Sequence, residues 1–165
     1  EVNKIALLLK QAKISTEYRK CTVAAKVRQE LSEVPSSAIE LSDGTIISAE
    51  TSDMLGPSAA LLLNATKHLA GIDHSTKLIP QSMIEPIQHM KVDYLRGRNP
   101  RLHTDEVLVA LAMLSTQDPN CRLALEKLPE LRGCQVHSTV MLSEVDRKIF
   151  NKLGIGLTCD PVVKA

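Results

Sequence analysis

Residues 95–106 read LRGRNPRLHTDE and hold the densest group of chemically capable side chains in the chain. Arg96, Arg98 and Arg101 fall within six positions, with no acid between Arg96 and Arg101. Guanidinium forks make paired contacts to carboxylate or phosphate oxygens. Three of them on a segment punctuated by Gly97 and Pro100 point to anion recognition by a loop. Arg101 is the strongest of the three, because Pro100 restricts the backbone ahead of it. The same arginines could also form a solvated turn, paired with Asp93 or Asp105. His103 follows, next to an acidic helix start at Thr104, Asp105 and Glu106. An imidazole there could move a proton, or it could cap or pack the helix. The acids are accounted for by the positive end of the helix dipole.

Two further places carry candidate chemistry. Gly56, Pro57 and Ser58 open a helix, and a helix N-terminus offers free amides to an anion. Ser58 would add a hydroxyl, although small residues there also permit close packing. The candidate ligand-binding set is therefore Arg96, Arg98, Arg101, Gly56 and Ser58. His137 alternates with Gln135 and Thr139 along a strand pattern, so it shares their face. Such a face either lines a cleft or is the solvated side of a sheet. His103 and His137 are the candidates for catalysis, and no reaction type follows from them. Cys134 has no base on its own strand face. Cys134 and His137 are three apart and point to opposite faces, so they cannot share a metal, and no metal site is expected. The chain has no G-x-S-x-G, no H-E-x-x-H, no paired-cysteine motif and no G-x-x-x-x-G-K-[ST] loop. No cofactor is assigned.

The elements that must position these groups are mostly helical. Residues 2–12 and 15–33 read as helices, the second capped by Ser15. Ser42-Asp43-Gly44 is a hairpin turn between strands at 38–41 and 45–51, with Ile39 and Leu41 facing the core. Pro57 begins a buried helix that stops at Gly71. Residues 86–95 form a helix with Ile87, Met90 and Tyr94 on one face, and an apolar helix covers 107–116. A third runs from Asp118-Pro119 to about 128. A strand at 134–142 leads to a helix opened by Ser143, with Asp146 in capping position, and ended by Gly154. A last strand covers 155–159. The expected fold class is α+β: a helix-rich domain with a small mixed sheet, the hairpin at about 38–51 joined by strands at about 134–142 and 155–159. The expected organisation is an N-terminal helical segment at 1–34 and an α+β domain at 35–165.

Composition narrows the function classes. The 165 residues are 44% hydrophobic and 24% charged, which suits a globular domain with a real core. Tyr18, Tyr94 and Phe150 are the whole aromatic set, and the net charge is +1. A binder of single-stranded nucleic acid would need stacking platforms and a basic field, so nucleic acid is not an expected partner. The longest apolar run is eight residues, far below the ~20 of a membrane span, so no membrane partner is expected either. Cys21, Cys121, Cys134 and Cys159 are widely spaced and read as reduced thiols of a cytoplasmic protein. The opening with Glu1, already in a helical pattern, is expected of a piece of a longer chain.

Several strings together carry a family resemblance: TSDMLGPSAALLLNA at 51–65, GIDH at 71–74, NPRLHTDE at 99–106 and GCQVHSTVMLSEVDRKIFNKLGI at 133–155. Over about 39–161 the chain resembles the C-terminal part of an uncharacterised bacterial family, domain of unknown function 1846. The resemblance implies a cytosolic bacterial protein. It also implies a partner within the same polypeptide, a preceding α/β part with a glycine-rich, phosphate-loop-like segment ending in Gly-Ser-Gly-Lys. That family has no assigned activity, so no catalytic residue carries over. Loop chemistry and resemblance together lead to a C-terminal module that helps handle a phosphorylated or nucleotide ligand. The alternative is a non-catalytic structural or oligomerisation module, working as a homo-oligomer. Convergence of the arginine segment, the Gly56 helix start and His137 in one cleft would favour the first, and scatter would favour the second.

Overall fold

The structure, a computed structural model, describes residues 19–163. The helices read at 2–12 and the cap at Ser15 lie outside the described residues. The fold is α+β. Helix α1 (Lys20–Ser32) is followed by strands β1 (Ser36–Glu40) and β2 (Ile46–Glu50), then α2 (Pro57–Leu69) and α3 (Gln81–His89). A π-helical turn (Met90–Tyr94) continues α3, and α4 (Thr104–Leu114) and α5 (Pro119–Glu126) follow. A short 3-10 turn leads to β3 (Gln135–Ser138), α6 (Glu144–Leu153) and β4 (Gly156–Cys159). The sheet order is β2-β1-β3-β4, with β1 antiparallel to both β2 and β3, and β3 parallel to β4 across α6. The sheet is therefore mixed.

The alternation of side chains explains the layers. Ile39 pairs with Ile47 and Val136, and this face packs on Leu61, Leu62 and Ala65 of α2 and on Phe150 of α6. Ala38, on the opposite face, packs on Cys21 and Ala25 of α1. Helix α2 is apolar on both sides, so its other flank (Ala59, Leu63) builds a second core with Ile84, Val107, Leu111 and Cys121. That is why its sequence lacks a polar stripe.

The hairpin forms as read, with Ser42-Asp43-Gly44 as its turn. Leu41 N–H donates to Thr45 O at 2.9 Å, Asp43 Oδ1 accepts from Thr45 N–H, and Gly44 lies at φ +89°. Ile39 and Leu41 are buried. A Cβ at Gly44 would touch nothing within 4 Å, so the backbone angle is the whole obstacle to substitution. Gly44→Val should lower the unfolding free energy by roughly 1 kcal/mol or more, since a β-branched residue resists positive φ. Denaturant melts check this, and unchanged stability would contradict the turn.

Three boundaries differ from the sequence reading. Helix α3 begins at Gln81 after Pro80, and Pro86 lies inside it instead of opening it. Strand β3 stops at Ser138, where the Ser138 hydroxyl donates to Val140 O at 2.7 Å and turns the chain away from the ladder. The π-helical turn shifts the face on which Met90 and Tyr94 lie, and both are exposed. The cysteines carry free thiols, and Cys21, Cys121 and Cys134 are buried. Burial, with Asp118 beside it, pushes the Cys121 thiol up to about 11, which makes it a poor nucleophile.

Candidate functional site

The arginine segment is fastened to the start of α2. Leu102 N–H donates to Met54 O at 2.8 Å, Gly56 N–H donates to Leu102 O at 3.2 Å, and Leu55 and Leu102 form an isolated parallel bridge. Arg101 Nε donates to Ser52 O at 2.6 Å, and its own N–H donates to Asn99 Oδ1 at 3.0 Å. Gln88 adds a bond from Nε2 to Asp53 O at 2.9 Å. Two places that the sequence separates by about forty positions are thus adjacent in the fold.

The fastening rests on Lys91, which the sequence reading missed. Its side chain is 12% exposed and reaches from the π-helical turn to Arg101 O (2.6 Å) and Glu106 Oε1 (2.8 Å). Glu106 also accepts from His103 N–H at 2.8 Å, so His103 and Glu106 close a capping box on α4. Burial raises the Glu106 carboxyl, but the His103 N–H and the Lys91 ammonium outweigh it and hold it below the usual carboxylate range. His103 Nδ1 lies 3.4 Å from Lys91 Nζ and 3.5 Å from Glu106 Oε1. His103 thus stands at the N-cap of α4, with its ring beside the Lys91–Glu106 pair.

The chain reverses sharply between this turn and Arg98. Leu95 N–H donates to Met90 O and Gly97 N–H to Lys91 O at 2.7 Å. A Cβ at Gly97 would meet Lys91 O at 2.9 Å, so only glycine fits. Arg96, just before it, takes φ +58°, a left-handed conformation that costs an L-residue about 1 kcal/mol. Arg96 and Arg98 are exposed, and neither has a hydrogen bond or ion pair with a described residue. Asp93 instead meets His89.

The remaining candidates lie apart from that exposed group. Ser58 is 1% exposed, and its hydroxyl has no partner among the described residues. The main-chain N–H groups of Ser58 and Ala59 donate to no described residue. His137 lies on the other side of the sheet. Its face is neither cleft nor solvated, because α1 covers it. The ring is buried, with Nδ1 2.7 Å from Thr158 Oγ1 and Nε2 3.1 Å from Asp160 Oδ1. Arg19, at the N-cap of α1, donates to Val136 O (2.7 Å), Gly156 O (3.1 Å), Gln135 and Thr158. This network binds α1 to β3 and β4. The backbone of the arginine segment is thus bonded to the start of α2 at Leu102, and His137 lies elsewhere, on the α1 side of the sheet.

Burial holds the His137 ring below its ordinary value of 6.5. Asp160 opposes that shift, and Lys26 and Arg19 reinforce it. A base with a lowered folded value binds fewer protons folded than unfolded. Its stabilisation is present above pH 6.5 and is lost as pH falls below it. The unfolding free energy should decline as pH falls below 6.5, and His137→Gln should flatten that slope. Equal slopes in wild type and variant would contradict the assignment.

A second contact missed from sequence joins α4 to α6. Asp146 Oδ1 accepts from Thr104 N–H (2.9 Å) and Thr104 Oγ1 (2.7 Å), while Ser143 Oγ accepts from Asp146 N–H at 3.2 Å. Asp146 thus occupies the capping position read for it while its carboxylate caps the neighbouring helix. Among the described residues no three His, Cys, Asp or Glu side chains gather where they could hold a metal ion. No helix among them is long and apolar enough to cross a membrane.

Residues 17–165 match the family described as Domain of unknown function DUF1846, C-terminal. The chain belongs to this family. It is 47% identical over 159 residues to the UPF0371 protein cu0538 of Corynebacterium urealyticum, covering 96% of this chain and 32% of that protein. It is 43% identical over 161 residues to the UPF0371 protein SUB1165 of Streptococcus uberis, covering 98% and 33%. A relative from Corynebacterium efficiens, UPF0371 protein CE2832, is 49% identical over 161 residues, covering 96% and 32%. The chain spans about a third of the length of these bacterial relatives. The family boundaries take in the arginine segment, the α2 start and the β3-α6-β4 unit together.

Proposed function

We propose that this domain is the C-terminal module of a larger cytosolic protein that handles a phosphorylated or nucleotide ligand. In this reading Arg96, Arg98 and Arg101 grip the anionic group beside the Gly56 helix start, with Ser58 buried behind it. The carrying observation is the fastening of the arginine segment to the α2 start through Leu102, Met54 and Ser52. It holds the Arg101 fork next to the start of α2, where the helix dipole is positive, an arrangement suited to phosphate. The left-handed Arg96 supports it: an arginine stands where glycine would cost less, and strain of that kind gathers at functional sites. The free thiols fit a reducing compartment. Arg101→Lys keeps the charge and loses the fork. Affinity for nucleotides or sugar phosphates should then fall by about 1–3 kcal/mol with little change in folding. Titration calorimetry reads the affinity, and an unchanged value would remove Arg101 from the site.

A second reading, an oligomerisation module without chemistry, has one observation in its favour. Val109 and Met113 lie one turn apart on α4 and are 61% and 64% exposed, and Tyr94 and Leu95 are about as open. Such surface marks interfaces when it is contiguous. Sedimentation of wild type against Val109→Glu with Met113→Glu separates the two readings, because only the oligomer reading predicts dissociation.

A further inference from the structure

A cavity of about 270 Å³ lies between α2 and the segment that leads into α3. That is close to the lower limit of ligand pockets, which span roughly 300–1,000 Å³. Its walls are mostly aliphatic: Met54, Leu63, Leu78, Ile79 and Ile84 line it, and all but Met54 are buried. Two lysines also line it: Lys77 is exposed, whereas Lys67 is buried. Lys67 is 8% exposed, and its Nζ donates to His74 O at 2.9 Å and Thr76 O at 3.0 Å. An ammonium has three N–H donors, and the third has no acceptor among the described residues.

Lys67 also lacks a counter-charge. It forms no ion pair with a described carboxylate. Asp73 is the acid that acts on it, but Asp73 Oδ1 is turned back onto its own loop, accepting from Ser75 N–H (2.8 Å) and Ser75 Oγ (2.6 Å). Buried charges in proteins are normally paired. Here burial pushes the Lys67 amine below its ordinary value of 10.5, with Asp73 opposing.

We infer that this cavity binds a small apolar monocarboxylate, with its tail among Met54, Leu63 and Ile84 and its carboxylate on the third N–H of Lys67. Charge complementarity selects the head group, because a neutral ligand would leave the ammonium unpaired. The two carbonyl bonds already hold Lys67 in place, so the ligand finds its partner oriented. The ligand requires the ammonium form, so affinity falls as pH rises toward 10.5. This site uses none of the arginines, and its test is independent of the reading above.

The test is titration of the protein with octanoate and with 1-octanol as the neutral control, repeated on Lys67→Met. Octanoate should bind wild type about tenfold or more tighter than octanol, the scale of one charge-assisted hydrogen bond. Lys67→Met should lose that advantage while binding octanol as wild type does. Octanoate should also move the methyl resonances of Leu63 and Ile84 in wild type, which carries the test if Lys67→Met does not fold. Equal binding of octanoate and octanol, undiminished octanoate binding by Lys67→Met, or no binding that moves those methyls would each overturn the proposal.

Discussion

Asp146→Ala should lower the unfolding free energy by about 3 kcal/mol, a larger loss than most single substitutions cause. The carboxylate is buried and accepts both the N–H and the hydroxyl of Thr104, which is itself fully buried. Hydrogen bonds to an ionised acceptor contribute roughly 1.5–3 kcal/mol each, and removing the acceptor leaves two dry donors unmatched. Asp146 also lies in the first turn of α6 and against the first turn of α4, where negative charge favours both dipoles. For a chain of this size the thermal midpoint should drop by roughly 6–12 °C. Asp146→Asn keeps one acceptor and should lose less. Thr104→Val in the Asp146→Ala background should add little, because the two residues act as one unit. A loss under about 1 kcal/mol for Asp146→Ala would mean that the bond does not hold the two helix starts together.

Elements with local signals were legible in the sequence. Asp43-Gly44 requires its turn, Pro57 and Gly71 delimit α2 closely, and Ser143 and Gly154 bracket α6, the last at φ +78°. The apolar run of α4 and the β3-α6-β4 succession were readable for the same reason. Pairings across long separations were not. Nothing in the spacing links Lys91 to Arg101 and Glu106, because the π-helical turn rotates Lys91 away from the face that an α-helix would give it. Nothing links Asp146 to Thr104, since the local signal shows only that Ser143 caps the Asp146 N–H and leaves the carboxylate's partner open. The polar strand face of His137 allows a cleft or a solvated side, and neither forms, because α1 covers it. Arg19 supplies the missing partners from a helix that covers the face. Of the candidate site, the arginines and Gly56 were legible as types, and their adjacency came from Leu102, an unremarked residue between them.

The central claim is that Arg96, Arg98 and Arg101 bind a phosphate-bearing ligand at the start of α2. Losing three guanidiniums should have the largest functional effect of any change in the domain. Arg96 and Arg98 have no partner among the described residues, so replacing them removes no fold contact, and Arg101 gives up one bond to Ser52 O. Folding should change by less than about 1 kcal/mol, while affinity should fall by something like 3 kcal/mol or more, over a hundredfold. The direct measurement is thermal stability of wild type and of the Arg96/Arg98/Arg101 triple-alanine variant across a series of nucleotides and sugar phosphates, since a ligand of the native state raises its midpoint. At least one phosphate ligand should raise the wild-type midpoint and leave the variant unmoved. Equal shifts in both proteins would contradict the account and favour the oligomerisation module.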